Sequence, residues 1–404
     1  MQELNKKSIL VAYASTGSGH KIAAEAIAKA LKNFEINVDV NLVDILDYFP
    51  QNESGSKFVS RVNGFLSPAF DMSWRLNFTG RIVWGGGQLW PSFVYKNFET
   101  YLADADPNVV VCTHFVCANA AAKCRVKHNK NFQIISVPTD YETEGLWPHR
   151  ETDLFCVANE EMASTLISRR VPASKILISG IPVASEFEQK YFKQETLKVF
   201  SIPSNKNVAL VICGAKESGP YKNMRKVLND SIKFLANMDW MHFVFCTGDD
   251  LDYANTLMKL ANKVGASNFT ILNYTDKLAA LMAASDIAII KAGGLVVSEC
   301  VSQNLPMLII GKSYAQENMN RRYLVSNGAA EHATTYKGLV NLLCDIFTYP
   351  NWYKKLKYGV SSIKYNNSSE IIAKESILRL NESHSEKAKI WNNLYIANNP
   401  IHSR

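Results

Sequence analysis

Ile287 to His332 reads IAIIKAGGLVVSECVSQNLPMLIIGKSYAQENMNRRYLVSNGAAEH. The apolar run Ile287–Ile290 ends in Ala292-Gly293-Gly294. A helix with one acid, Glu299, follows, and a second apolar run, Leu305–Ile310, leads into Gln316-Glu317-Asn318-Met319-Asn320. The stretch therefore reads as strand, glycine turn, helix, strand, polar loop, helix. Such a unit sets backbone N–H groups and a helix N-terminus beside a ligand at the carboxyl end of a parallel sheet. It suits a phosphate-bearing ligand with a ribose and a polyhydroxylated group.

Working outward, apolar runs bounded by turn residues alternate with helical periodicity. Strands are predicted at Ser8–Ala14, Val38–Val43, Asn108–Thr113, Phe132–Val137, Asp153–Val157 and Ile176–Ser179, with helices between them. A second series follows at Asn207–Cys213, His242–Thr247, Asn268–Leu272, Ile287–Ile290 and Pro306–Ile310. Alternation in both halves predicts two doubly wound α/β domains. The polar stretch Phe187–Ser204 places the boundary near 190, giving residues 1–190, residues 191–367, and a helical tail over 368–404.

The 404 residues are 47% hydrophobic and 20% charged, enough for two or three cored domains. The opening MQELNKKSILVAYA reads as a buried strand rather than a signal peptide, and no apolar run has the roughly 18–20 residues that span a bilayer. The expectation is a cytoplasmic protein, or one peripheral on a membrane. Eight cysteines (112, 117, 124, 156, 213, 246, 300, 344) sit mostly in apolar runs, none as C-x-x-C, and read as reduced core residues. The histidines form neither H-E-x-x-H nor a His/Cys cluster, so no metal site is expected. Of the net charge of +7, residues 1–190 carry −1 and residues 191–404 carry +8. The second half should attract anionic ligands or surfaces.

Residues 56–98 break the alternation. They hold ten aromatics, Phe65, Trp74, Trp84 and Trp90 among them, with five basic residues, including Arg75 and Arg81, and one acid. Basic side chains interleaved with Trp and Phe suit an anionic membrane surface or acyl chains; an aromatic insertion packed on the first core is the alternative.

The first strand ends in Gly17-Ser18-Gly19-His20. The third glycine of a dinucleotide fingerprint would fall at Ile22, so NAD or FAD is not expected. A histidine at a helix start is biased toward the neutral form and suits a general base; a cap is the bland reading. Asp140, in Val137-Pro138-Thr139-Asp140, also follows a strand. It could orient His20, act as the base itself, or cap a turn. Trp147 and His149 follow. In the second half Gly214-Ala215-Lys216 is a loose glycine loop with a cation. Gly293-Gly294 opens a helix that could hold a diphosphate without a metal, and Glu299 could accept ribose hydroxyls. Gln316, Glu317 and Asn320 suit sugar hydroxyls; a helix N-terminus is the bland reading. Asp104-Ala105-Asp106 precedes its strand, at the wrong end for a site, and reads as a turn. Asp249-Asp250-Leu251-Asp252 reads as a helix start, and there is no Walker A sequence.

Five blocks in order, Thr16-Gly17-Ser18-Gly19-His20, Thr139-Asp140 with Leu146-Trp147-Pro148-His149, Val157 to Pro182, Lys291-Ala292-Gly293-Gly294 with Glu299, and Gln316-Glu317 with Asn320, together resemble the monogalactosyldiacylglycerol synthase and processive diacylglycerol glucosyltransferase family, relatives of the lipid-II GlcNAc transferase. The resemblance covers about residues 8–350. It implies a GT-B fold: two facing Rossmann-like domains with a cleft between them and a C-terminal helix crossing back. It implies inverting, metal-independent transfer of a hexose from a UDP-sugar, used as substrate with no cofactor, to a membrane lipid such as diacylglycerol. Nucleic acid is not an expected partner. The place of work would be the inner face of the cell membrane. Carried over, uracil lies near Asn273-Tyr274, diphosphate at Gly293, Gly294, Leu295 and Val296, ribose on Glu299 and donor sugar on Gln316 and Glu317. Lys291, Gly214 and Lys216 join the donor set with Gly17 and Gly19, and Trp147 and His149 join the aromatic segment on the acceptor side. The family usually has a hydroxyl residue where Val296 stands. A UDP-sugar epimerase and a non-catalytic UDP-sugar sensor are the rival readings on such a fold.

Overall fold

The computed structural model describes residues 7–15, 18–34, 37–48, 92–142, 146–214, 219–313 and 315–381. Of the expected site residues, Gly17, Lys216, Phe65, Trp74, Arg75, Arg81, Trp84 and Trp90 lie outside that set. The chain divides into two compact units, one of 1–182 with 367–404, the other of 183–366.

The first unit holds β1 (Ser8–Tyr13), α1 (Ser18–Asn33), β2 (Asp39–Asp44), α2 (Ser92–Ala105), β3 (Val109–Cys112), α3 (Phe115–Lys127), β4 (Gln133–Ser136), β5 (Leu154–Val157), α4 (Glu160–Ser168) and β6 (Ile176–Ile178). Its six strands are all parallel, in the order β2-β1-β3-β4-β5-β6. Strands β3, β4 and β5 are buried at every residue, because helices cover both faces.

The second unit holds α5 (Lys193–Val199), β7 (Asn207–Ile212), α6 (Gly219–Leu235), β8 (Met241–Cys246), α7 (Leu251–Val264), β9 (Phe269–Leu272), α8 (Leu278–Ala284) and β10 (Ile287–Ile290). It continues through α9 (Gly294–Ser302), β11 (Met307–Ile310), α10 (Ala315–Ser326), β12 (Ala330–Ala333), α11 (Tyr336–Thr348) and α12 (Pro350–Ser362). Its sheet is parallel too, in the order β12-β11-β10-β7-β8-β9. A final helix, α13 (Ser368–Leu378), returns to the first unit and packs on α1; Ile372 and Ala373 join the core of Ile9, Val11, Ile27 and Leu31.

The two series of strands emerge where the alternation placed them. Three features do not. The polar stretch near 190 is no linker: α5 lies in it and packs on α8. The second unit begins at Val183 rather than 191, because the Phe187 carbonyl accepts from Ser302 Oγ at 2.8 Å and from Gln303 Nε2. Strand β12, AEHA, had no alternation to betray it. Asp104 closes α2 and Asp106 takes a left-handed turn (φ 38°), ion-paired to Lys130 at 3.3 Å, ahead of β3. Asp250 caps α7, accepting from the Tyr253 N–H at 3.0 Å. Among the described residues no helix is long and apolar enough to cross a membrane.

Candidate active site at two strand-order reversals

In an open parallel sheet a crevice forms beyond the carboxyl ends of the strands where their order reverses. In the first unit the chain runs from β1 outward to β2 and then jumps to β3 on the other side, so the reversal lies between β1 and β3. His20, after β1, meets Thr113, after β3, at that place. His20 Nδ1 lies 3.1 Å from the Thr113 carbonyl oxygen and 2.9 Å from Thr139 Oγ1, which follows β4. Thr113 Oγ1 donates back to the His20 carbonyl at 2.9 Å. Three neighbouring strands thus end on one imidazole.

A carbonyl oxygen only accepts, so the Thr113 contact is a hydrogen bond in the tautomer with the proton on Nδ1 and the lone pair on Nε2; the Thr139 hydroxyl can accept from that proton or donate to Nδ1 in the other tautomer. Burial lowers the pKa of His20; the charge of Asp140 and the Thr113 carbonyl push the other way without overcoming it. Beside it, His114 caps α3, its Nδ1 accepting from the Val116 N–H at 3.2 Å. The two imidazoles pack edge to face, with centroids 4.6 Å apart and planes at 89°. Burial, then the nearness of His20, holds His114 well below the usual histidine range. The result is two neutral rings; with the proton on Nδ1, that of His20 has its base nitrogen on the side away from the clamp. Asp140 follows Thr139 on a bend and is half-buried.

In the second unit the reversal lies between β7 and β10. Lys291, Ala292 and Gly293 follow β10, and Gly293 is the cap of α9. The first N–H groups of a helix, here Gly294, Leu295 and Val296, have no carbonyl one turn back to bind. Val296 brings no hydroxyl: its Cγ1 lies 3.6 Å from where a Cβ on Gly293 would stand, and Lys291 Nζ lies 3.9 Å from the same point. Lys291 pairs with Glu317 and sits over the Tyr221 ring, 4.6 Å from its centroid. A helix N-terminus and an ammonium therefore converge on one glycine, which is anion-binding geometry. Glu299 is 6% exposed. Burial, then the charge of Glu186, raises its pKa to about 8.

The other expected residues stand as follows. Asn320 is fully buried and donates to the Ala292 carbonyl at 3.0 Å, so it braces the glycine turn instead of facing sugar hydroxyls. Gln316 and Glu317 open α10, half-buried. A Cβ on Gly214 would stand 2.0 Å from the Thr247 carbonyl oxygen, so that glycine serves the packing of β7 beside β8. Tyr274 is 74% exposed on the bend after the edge strand β9. Trp147 is buried within the first unit, not displayed on an exposed membrane face. His149 belongs to the opposite edge of the sheet from His20: it precedes β5, packs on Phe155 with ring centroids 5.9 Å apart, and is held to about 4 by burial and Arg169. It therefore takes no part in the His20 cluster. Gly19 stands next to His20 in the first turn of α1.

Sequence reasoning passed over Thr113, His114 and Tyr221. Thr113-His114 directly follows the apolar run VVVC, the same positional signal that drew attention to Asp140. Tyr221, inside α6, carried none.

Residues 20–183 match the monogalactosyldiacylglycerol synthase family, and residues 208–344 match the glycosyltransferase family 28 C-terminal domain. Among similar proteins, a processive diacylglycerol β-glucosyltransferase of Bacillus subtilis is 24% identical over 63% of this chain and 64% of its own length. One of Staphylococcus epidermidis is 27% identical over 61% of each. The chain thus spans less than two thirds of the length of these relatives. Similar solved structures include Acinetobacter baumannii MurG (TM-score 0.60, 13% identity, 92% of this chain and 99% of that one). The UDP-GlcNAc 2-epimerase of Neisseria meningitidis bound to UDP-GlcNAc is as near (TM-score 0.60, 16% identity, 92% and 100%). At such identities they bear on the fold alone, which is that of GT-B transferases and epimerases. The chain is thus similar to the monogalactosyldiacylglycerol synthase family over its first unit and to the glycosyltransferase family 28 C-terminal domain over its second.

Proposed function

We propose that this protein is an inverting glycosyltransferase that moves a hexose from a UDP-sugar to the hydroxyl of diacylglycerol, working peripherally at the inner face of the cell membrane. The observation that carries the reading is the setting of His20: a buried imidazole of lowered pKa whose Nδ1 faces the Thr113 carbonyl, an arrangement in which Nε2 serves as the base. The names of the similar glucosyltransferases supply the acceptor class. In the proposed step the acceptor proton passes to His20 Nε2. The acceptor oxygen bonds to the anomeric carbon from the face opposite the nucleotide. The bond from that carbon to the β-phosphate oxygen breaks, and UDP leaves with the electron pair. The N–H groups opening α9 and the Lys291 ammonium receive the developing charge, a role that needs no metal ion.

The test is lipid mass spectrometry after incubation with UDP-glucose or UDP-galactose and diacylglycerol vesicles. A glycosylated diacylglycerol is expected. An isomerised UDP-sugar formed without acceptor would instead make the protein an epimerase, and UDP binding without turnover a sensor.

Glu299 gives a pH prediction. Ribose hydroxyls that donate to its carboxylate favour the ionised form, so binding pulls its pKa down from about 8 and releases a proton. UDP affinity should climb as pH rises toward 8, by at most about tenfold per unit, and flatten above it. In Glu299→Gln this part of the slope should vanish. Calorimetry in buffers of different ionisation enthalpy reads both the slope and the proton. Equal slopes in the two proteins would remove Glu299 from the ribose site.

A further inference from the structure

We infer that the outer face of α12 is a docking surface for an anionic lipid bilayer. The inference rests on the glycolipid reading for its setting but on separate residues. Helix α12, PNWYKKLKYGVSS, has three lysines and no acid. Its inner face is committed: Trp352 Nε1 donates to Glu331 at 2.8 Å, the Tyr353 hydroxyl to the Asp286 carbonyl at 3.1 Å, and Lys357 Nζ to the Asn304 carbonyl at 2.9 Å. Leu356, Gly359 and Val360 are buried. Gly359 lets the helix seat against the turn after α10, for a Cβ there would stand 2.2 Å from the Gly328 carbonyl oxygen.

That seating leaves Asn351, Lys354, Lys355, Tyr358, Ser361 and Ser362 exposed at helical spacing, on one face. Tyr358 is 76% exposed, and Tyr349, at the head of the helix, 59%. Lys355 adjoins the Gly328 turn, its Cε 4.0 Å from a Cβ built there. Val325 and Ser326, which lead into that turn, are exposed as well. Glu331 is bonded to Trp352, Asp286 is paired with Lys193 at 2.6 Å, and Asp345 is half-buried on α11.

Exposed lysines beside exposed tyrosines, with no acid among them, match the interface of a bilayer: ammonium groups meet lipid phosphates while phenol rings lie at headgroup depth. The excess of +8 in residues 191–404 points the same way.

The experiment is co-sedimentation of the full chain with vesicles of phosphatidylcholine, alone or with phosphatidylglycerol. Wild type should bind the anionic vesicles more tightly, less so as salt rises. The charge-reversed variant Lys354→Glu/Lys355→Glu should lose about tenfold or more of that binding. Tyr358→Ala should weaken it by less. The double variant should keep wild-type UDP binding and wild-type turnover on detergent-dispersed diacylglycerol. Equal binding of the double variant and wild type, or no preference of wild type for anionic vesicles, would overturn the inference. Absence of turnover by wild type in detergent would instead remove the transferase reading and leave the docking result standing.

Discussion

His20→Ala should lower turnover about a thousandfold, within the range that removal of a general base gives, while leaving the KM for the UDP-sugar nearly unchanged. The split follows from where the groups sit. His20 belongs to the first unit, whereas the glycine turn, Lys291 and Glu299 belong to the second, so the donor keeps its own contacts. The pH profile adds a sign. A base works when unprotonated, and burial places the pKa of His20 below the usual histidine value near 6.5. Turnover should therefore rise through that depressed pKa and be level by neutral pH. Asp140→Asn removes a charge that pushes the pKa of His20 upward, so the rising limb should move to lower pH with the plateau largely kept. If Asp140 is the base itself, the asparagine variant loses the plateau and His20→Ala does not. Initial rates with diacylglycerol vesicles across pH separate the two assignments. Wild-type turnover in both variants would remove this cluster from the chemistry.

The architecture was open to sequence reading because a parallel sheet covered on both faces needs unbroken apolar runs, and runs such as VVVC, QIIS and MLII leave little room for another assignment. The glycine turn was equally plain. What escaped notice depends on strand order, which spacing along the chain does not encode. Thr113 and His114 matter only because β3 pairs with β1, bringing residues 93 positions apart to one imidazole. His149 shows the converse. Its nearness to Asp140 in sequence suggested one site, but the chain between β4 and β5 crosses from the carboxyl edge of the sheet to the amino edge, and the two residues part. Asn320 was read as a sugar ligand, and its amide donates to the glycine turn: an amide that braces such a turn looks, in sequence, like one that binds hydroxyls.

That amino edge carries the largest expected effect on stability. Arg125, 3% exposed, closes α3 and pairs with Asp153, 7% exposed, at the entrance to β5. The guanidinium also donates to the carbonyls of Phe132, at 3.1 Å, and Glu151, while Asp153 Oδ2 accepts from the Ile134 N–H at 2.9 Å. The pair thus pins α3, β4 and β5 at one point. Asp153→Ala strands a buried cation and a buried N–H together, and should cost about 3–5 kcal/mol of unfolding free energy. Removing both charges by Arg125→Met with Asp153→Leu should recover much of that loss, because desolvation offsets most of what the intact pair contributes. Chemical denaturation of the three proteins gives the comparison. The edge lies at the far end of the sheet from His20, so the folded fraction of Asp153→Ala, assayed at low temperature, should turn over as wild type does. A loss below about 1 kcal/mol would mean that the pair is solvated like a surface one. A well-folded but inactive Asp153→Ala would mean that the amino edge of the sheet sets the geometry at its carboxyl edge.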